Sequence, residues 1–332
     1  MIGLSNVGAF TGSIRDSINQ NFAMSGFGTV GQILYLDPAN GYDASATPNN
    51  QSTAYKTLAA AYAAANSGKN DVIVLIGDGA TTATARVDVA FTWAKNATHL
   101  IGLCAPGLLS QRSRIAPTAA TTAFANFFTV SGNGCVFQNI QWFHGFTTGV
   151  ASSICMTVTG QRNVFSNCQF AGMGDAASAA DAGSRSLKVG GSGAGENLFL
   201  NCTVGSDATS RGAANASLEL YGATPRNIFR GCIFPITGSA AGVLGILGTG
   251  AGCVDRWTLF DGCAFLNGIK SGSTQMTVLT SLTNASPGGY LVFQNCTSVG
   301  STKLGDTIAL ANSYVNMAAV SGSAGGLGVN PS

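Results

Sequence analysis

Apolar and polar positions in this chain follow a repeated pattern. A five-residue motif occurs six times, with an aliphatic residue, a phenylalanine, a variable residue, an asparagine or glycine, and a cysteine or isoleucine. Its copies are Val136–Ile140, Val164–Cys168, Leu198–Cys202, Ile228–Cys232, Leu259–Cys263 and Val292–Cys296. The phenylalanines lie 28, 34, 30, 31 and 33 residues apart. A repeat of about thirty residues with variable spacing predicts a solenoid whose loops absorb the insertions.

The fourth position of the motif predicts a bend. The phenylalanine and the cysteine are three residues apart, so they would point to opposite faces of a straight strand. Both reach the core only if the chain turns between them, at Asn139, Asn167, Asn201, Gly231, Gly262 and Asn295. Asparagine and glycine tolerate the left-handed backbone conformation best. We therefore expect a corner at this residue, with stacked asparagines hydrogen-bonded along the axis.

A second strand with alternating apolar residues precedes each motif. The apolar pairs are Phe128/Val130, Met156/Val158, Leu187/Val189, Leu218/Leu220, Leu244/Ile246 and Met276/Val278, and Ile308/Leu310 follows the last motif as a further copy. The sequence therefore predicts an all-β fold, a single right-handed parallel β-helix solenoid over residues 71–315. Lys188 and Glu219 lie one repeat apart, each between two apolar residues, so we expect them to be exposed neighbours on one face.

The remaining segments have other patterns. Residues 31–70 predict a first strand, a loop and a short N-terminal capping helix that is rich in alanine and follows Ser52 and Thr53. Residues 1–30 lack the repeat, and Ile14, Ile18 and Phe22 have helical spacing. We interpret these residues as an N-terminal arm that contacts a capsid or a neighbouring subunit. Residues 316–332 form a C-terminal tail rich in glycine, serine and alanine.

The N-terminal region resembles a known group of proteins. The order GQILYLDPANGYDAS, YKTLAAAYAAA and NDVIVLIGDG is similar to the opening of pectate-lyase-like β-helix domains. Such openings are frequent in bacteriophage tailspikes and other virion proteins, so the resemblance implies a β-helix and a virion setting. It implies no single activity, because the fold serves lyases, hydrolases, adhesins and inert structural proteins.

The composition limits the classes of partner that this protein can bind. Charged residues make up 9% of the chain and the formal net charge is +2, so nothing indicates the concentrated basic patch that nucleic acid or an anionic membrane surface requires. No apolar run approaches the roughly eighteen residues of a transmembrane helix, and the N-terminus does not read as a secretory signal. We expect neither nucleic acid nor a membrane as a partner.

The nine cysteines have three possible interpretations. Five of them, Cys168, Cys202, Cys232, Cys263 and Cys296, occupy the last position of the motif. Metal ligation and disulfide bonding are the functional alternatives. Equivalent side chains that face one way at about 4.8 Å intervals suit packing better than S–S geometry, so we favour a column of small buried hydrophobic residues.

Candidate chemistry is sparse. The chain has only two glutamates, and its aspartates form no paired cluster on the strands, so we expect no catalytic, cofactor or metal site. Asp175 and Asp181 share a loop that looks solvated, and Asp255 and Asp261 flank Trp257. His144 has no paired acid in sequence and His99 lies beside an apolar strand, so we expect neither to be a catalytic base. Trp142 is a candidate surface aromatic, for stacking on a sugar or, as we favour, for packing against a neighbouring subunit.

These observations favour a structural role. We expect a non-enzymatic bacteriophage virion protein, a capsid decoration (cement) protein that binds and stabilises the capsid shell. Its partners would be the capsid protein and its own copies in a homotrimer. Free core cysteines fit assembly in a reducing host cytoplasm, with the capsid surface as the final location. The alternative is a tailspike or tail-fibre protein that recognises host glycans, with or without cleaving them; a secreted polysaccharide lyase comes third.

Overall fold

The computed structural model describes residues 31–315, except Pro106, Leu108, Arg112, 119–122, Ser192, 269–273 and 284–287. Three parallel sheets wind into a right-handed β-solenoid of about seven turns, so the predicted fold class is confirmed. Within each turn the chain visits sheet A, then sheet B, then sheet C. The N-terminal arm with Ile14, Ile18 and Phe22, and the C-terminal tail, lie outside the described residues.

The strands are short and pair in parallel register. Sheet A contains β1 (Ile33–Leu36), β2 (Asp71–Leu75), β5 (Thr98–Gly102), β8 (Val136–Gln138), β11 (Val164–Ser166), β14 (Leu198–Leu200), β17 (Asn227–Arg230), β20 (Arg256–Asp261), β23 (Gly289–Gln294) and β26 (Ser313–Val315). Sheet B contains β3 (Ala85–Val87), β6 (Arg114–Pro117), β9 (Gln141–Phe143), β12 (Gln169–Ala171), β15 (Thr203–Val204), β18 (Ile233–Ile236), β21 (Ala264–Asn267) and β24 (Thr297–Val299). Sheet C contains β4 (Phe91–Trp93), β7 (Asn126–Val130), β10 (Ile154–Val158), β13 (Arg185–Gly190), β16 (Ala216–Tyr221), β19 (Leu244–Thr249), β22 (Met276–Leu282) and β25 (Ser301–Gly305).

The capping helix is shorter than the sequence pattern suggests. Residues Asp43–Ser45 and Gln51–Thr53 form single 3-10 turns, and helix α1 spans Leu58–Ala64. Its first residue follows Thr57, whose side chain accepts a hydrogen bond from the Ala60 N–H at 3.2 Å. Asp43 in turn accepts the N–H groups of Lys56 and Thr57, which fixes the start of the helix. Leu58 and Ala61 are buried, so α1 covers the N-terminal end of the core.

The corner between sheets A and B forms as predicted. Asn139, Asn167, Asn201, Gly231, Gly262 and Asn295 all have φ between 51° and 62°. This conformation turns the chain between the phenylalanine and the cysteine, so that both side chains enter the core.

The core is a set of columns along the solenoid axis. Adjacent phenylalanines of the motif stack with ring centroids 4.4–5.0 Å apart, from Phe137 to Phe293. The cysteines form a second column, in which the Cys202 thiol lies 3.3 Å from the carbonyl of Phe165 in the preceding turn. All nine cysteines are free, and within the motif column Cys296 alone is partly exposed. Packing is therefore the role of this column.

A buried asparagine ladder runs beside the phenylalanine column. The side-chain oxygens of Asn163, Asn197 and Asn227 accept the backbone N–H of the residue one turn earlier, at 2.8–3.0 Å. These asparagines lie two residues before the phenylalanine, whereas the predicted ladder involved the corner asparagines. Asn139 at the corner donates instead to the carbonyl of Gly102 at 3.4 Å. The continuous ladder between turns is therefore made by the buried asparagines, and the feature shared by all corner residues is their backbone conformation.

Sheet C departs from the prediction near its C-terminal end. The first four apolar pairs lie in the core, but Leu244 packs in a separate cluster with Ala216 and Leu247. Val278 also packs against that cluster, because Ile246 pairs in register with Thr280. Ile308 and Leu310 are not a strand copy: Thr307–Ala311 form helix α3, which begins where Asp306 accepts the Ala309 N–H.

Candidate functional site

The outer face of sheet C carries a row of mostly polar residues. One outward row runs in register along consecutive strands: Thr92, Thr129, Thr157, Lys188, Glu219, Leu247 and Ser281. Alternation along each strand directs these residues away from the core. The predicted neighbours Lys188 and Glu219 do pair in register, and their charged groups lie 3.5 Å apart.

Glu219 is the centre of a charged cluster on this face. Its side chain is only 8% exposed, so one member of the pair predicted to be exposed is buried, whereas the Lys188 side chain is 23% exposed. Arg185 Nε donates to Glu219 Oε2 at 2.9 Å, and the Thr249 hydroxyl donates to Oε1 at 2.5 Å. The Arg185 guanidinium also donates to the carbonyls of Ala182 and Ser184. Both oxygens of Glu219 are therefore engaged by the protein, and the carboxylate serves to hold two cations in place.

Tyr221 presents an aromatic ring beside this cluster. It is 44% exposed, and the Lys188 ammonium lies 4.2 Å from the centroid of its ring. The backbone of Tyr221 lies against a glycine of the preceding turn. A Cβ at Gly190 would come within 2.1 Å of the Tyr221 carbonyl oxygen. Glycine at position 190 is thus required by the close approach of the next turn.

A further cation lies buried next to the cluster. Arg211 is 1% exposed and donates to the side chains of Asn215 and Ser217 and to the carbonyls of Asn215 and Leu244. Burial, with a smaller contribution from Arg185, lowers the pKa of Arg211 to about 9, so it remains protonated at neutral pH. All of these acceptors are neutral. The face therefore combines an exposed ring, a partly exposed ammonium and fixed polar groups.

The overall shape has known counterparts. No family model matches the chain, and neither does any curated protein. Among solved structures it is similar to pectate lyase Pel9A, with a TM-score of 0.61 and 17% identity, over 90% of this chain and 71% of that one. It is also similar to pectin methylesterase PemA from Erwinia chrysanthemi, with a TM-score of 0.53 and 13% identity, over 87% of this chain and 91% of that one. A pectin methylesterase mutant in complex with hexasaccharide IV gives a TM-score of 0.52 and 16% identity, over 86% and 80%. At these identities the likeness shows the fold, a pectate-lyase-like parallel β-helix.

Trp142 is not a surface residue. It is fully buried on β9, where its ring stacks on Phe170 with centroids 5.6 Å apart. The two residues pair in register and point into the core. The prediction that Trp142 contacts a sugar or a subunit is wrong, because this position of sheet B points into the core, where Trp142 lies in register between Ile115 and Phe170.

Neither histidine is available to a surface ligand. His144 is fully buried, with its ring nitrogens 2.8 Å from the Ser153 hydroxyl and 3.0 Å from the Phe124 carbonyl. His99 accepts the Val136 N–H at 3.0 Å. Burial lowers the pKa of each to about 4, so both rings are neutral at neutral pH.

The aspartates singled out in sequence have local partners. Asp175 is 8% exposed and caps helix α2 (Ala176–Ala179), so its part of the loop is packed rather than solvated. Asp181 accepts the Ser152 hydroxyl and the Gly183 N–H. Asp255 pairs with Arg256 at 3.2 Å, and Asp261 pairs with Arg230 at 3.0 Å.

Three further features concern metal sites, membrane spans and cavities. Among the described residues, no group of three or more His, Cys, Asp or Glu has metal-site geometry. No described helix has the length and apolar character of a membrane span. A cavity of about 280 Å³ lies at the C-terminal end of the solenoid, lined by Phe265, Leu279, Phe293, Cys296, Thr297, Ser298, Ser301, Thr302, Lys303, Leu304 and Val315. It belongs to the last turns of the core column, away from the Glu219 cluster.

Proposed function

We propose that this chain is a non-enzymatic, glycan-binding β-helix of the receptor-binding type, with the outer face of sheet C as its binding surface. The observation that carries the proposal is Tyr221, an exposed ring held beside Lys188 on a mostly polar face. A sugar ring offers an apolar C–H face that stacks on an aromatic side chain, while its hydroxyls bond to polar groups at the edge.

The shared fold supports the same class of ligand. One of the pectin methylesterases to which the chain is similar holds a hexasaccharide, so the architecture can present an oligosaccharide surface. The row of threonines that leads to Lys188 would supply hydroxyls for further sugar units. The strand rise of about 3.4 Å and the turn spacing of about 4.8 Å place such groups at distances comparable to a sugar unit.

The hydrogen bonds and ion pairs of the Glu219 carboxylate support the non-enzymatic part of the proposal. Both oxygens of Glu219 already accept from Arg185, Thr249 or Lys188, so neither is directed toward a bound sugar as a free acid or base. The two histidines are buried away from this face. The capsid-decoration role and the bacteriophage origin expected from the sequence stay predictions, since none of these surfaces specifies a capsid partner.

The test is a glycan array followed by titration calorimetry with the full chain. We expect Tyr221→Ala to weaken binding of any glycan found by at least about tenfold, equivalent to about 1.4 kcal/mol. The matched control is Tyr290→Ala, which removes a tyrosine of similar exposure, 47%, from sheet A and should leave the affinity unchanged.

Two results would overturn the proposal. Equal affinity of the Tyr221→Ala variant and the wild type would remove sheet C as the binding face, and failure to bind any glycan would remove the ligand class. Release of reducing ends or unsaturated products from a bound glycan would show that the protein is an enzyme.

A further inference from the structure

The outer face of sheet A carries an apolar row along most of the solenoid. The aliphatic residue that precedes each motif phenylalanine points outward, because the phenylalanine points inward. These residues pair in register from turn to turn and are partly exposed: Val136, Val164, Leu198, Ile228, Leu259 and Val292, with Tyr314 as the last member. We call these seven residues the sheet A row.

The row has the composition of a protein interface. It contains no charged residue, whereas an outward position on a solitary solenoid would ordinarily be polar. On one side it is bordered by the ion pairs of Glu196 with Arg162 and Arg226, at 2.8 and 2.5 Å. On the other side lies the pair Arg230–Asp261. An apolar centre between polar margins is the arrangement found in protein–protein contacts.

We propose that the sheet A row packs against the same row of a second copy of this chain, with the two solenoid axes parallel. The argument is the repeat distance. The row rises by about 4.8 Å per turn over six intervals, about 29 Å in total. A partner that contacts every turn must carry apolar groups at the same spacing, and another copy of this row meets that condition.

The margins are compatible with this arrangement. Rotation about an axis parallel to the solenoid brings one margin of a copy opposite the other margin of its neighbour, at the same height. The charges are paired within each chain. Arg162, Glu196 and Arg226 give one margin a net charge of +1, and Arg230 and Asp261 give the other margin a net charge of zero. Two copies therefore approach with little charge repulsion. The contact leaves the sheet C face free, so it is independent of glycan binding.

The experiment compares two outward substitutions in the full chain by analytical ultracentrifugation. The wild type should sediment as a dimer or a trimer. Ile228→Glu, in the middle of the row, should raise the dissociation constant by more than about tenfold, because it buries an unpaired charge in the contact. Leu266→Glu is the control: Leu266 is 39% exposed on the outer face of sheet B, and this variant should associate as the wild type does.

A cross-linking experiment tests the register without adding a charge. In parallel copies that share one rotation axis, Ile228 faces its own counterpart, so Ile228→Cys should form a disulfide-linked dimer under mild oxidation. Leu266→Cys should not. A monomeric wild type, an unchanged Ile228→Glu oligomer or an absence of cross-links in the Ile228→Cys variant would overturn the proposal. If the wild type is monomeric and the thiol introduced by Ile228→Cys resists maleimide, another part of the same chain covers the row instead.

Discussion

The side chain of Asn227 binds Asn197 twice across one turn of the solenoid. Its oxygen accepts the Asn197 backbone N–H at 3.0 Å and the Asn197 side-chain amide at 3.1 Å. Asn197 in turn donates to the Gly160 carbonyl and accepts the Asn163 N–H. Asn197 therefore joins three turns, and removing its side chain leaves polar backbone groups without partners.

This ladder gives the first prediction. Asn197→Ala should lower the free energy of unfolding by roughly 2–4 kcal/mol, because it leaves the buried Asn163 N–H and the Gly160 carbonyl without a hydrogen-bond partner. Asn201→Gly, four residues away at the corner, should change it by less than about 1 kcal/mol, since glycine suits the left-handed conformation that Asn201 adopts. Urea unfolding followed by circular dichroism measures both. Equal losses in the two variants would contradict the division between buried ladder and corner.

The second prediction compares the two glutamates. Glu219→Gln should destabilise the fold by about 3–5 kcal/mol, because Arg185 and Lys188 lose the negative charge that pairs with them. The Arg185–Glu219 pair is largely buried. Glu196→Gln is the matched control, because Glu196 also pairs with two arginines, Arg162 and Arg226, but at an exposed site. We expect a much smaller loss of stability there, because solvent screens the charges. Thermal unfolding at low and high salt provides the measurement, and only the Glu196 effect should depend clearly on salt. A small, salt-sensitive loss in Glu219→Gln would show that this cluster is solvated.

The third prediction concerns pH. Burial lowers the pKa of His99 and His144 from 6.5 to about 4, so the unfolded chain binds more protons than the folded one between these values. The stability that comes from each neutral ring is complete above pH 6.5 and is lost as the pH falls toward 4, by up to about 3 kcal/mol per histidine. The measurement is the free energy of unfolding as a function of pH.

A substitution at one histidine tests whether the buried histidines cause this pH dependence of stability. His144→Phe, in a pocket that already holds Phe124, Phe127 and Phe146, should remove about half of the pH dependence between 6.5 and 4. Carboxylates with a lowered pKa, such as Asp78 and Asp181, lose their contribution only below about pH 4, so they do not mask the result. A flat stability profile from pH 6.5 to 4 in the wild type would contradict the buried, neutral histidines.

The fourth prediction concerns thiol reactivity. Burial raises the pKa of the Cys202 and Cys232 thiols well above their usual range, and the contact with Cys263 raises that of the partly exposed Cys296. Thiolates are the reactive species, so these positions should resist alkylation in the native protein. Cys104, which is partly exposed in a loop, should react alone, and Cys104→Ser should abolish the fast phase. Rapid modification of several thiols in the native protein would show that the column is not buried.

Several features of the fold could be predicted from particular residues. The corners at Asn167 and Gly231 follow from a bend requirement that only a few residue types meet. The position of Trp142 is also readable from the repeat: it lies two residues after the last motif position, where other copies have Phe170, Phe234 and Phe265. The orientation of Trp142 is set by its equivalents in the other turns and not by its neighbours in sequence, so the surface prediction is wrong.

By itself, the sequence determined the repeat, the corners, the core columns and the register that makes Lys188 and Glu219 neighbours. These depend on local backbone preference and on strict alternation, which act within one turn and are repeated in the next. Only the tertiary structure decided that Arg185 pairs with Glu219 and that Tyr221 stands exposed beside Lys188. Arg185 and Tyr221 lie at the ends of strands β13 and β16, so their side-chain contacts depend on how neighbouring turns pack against each other and not on the periodic pattern within one turn.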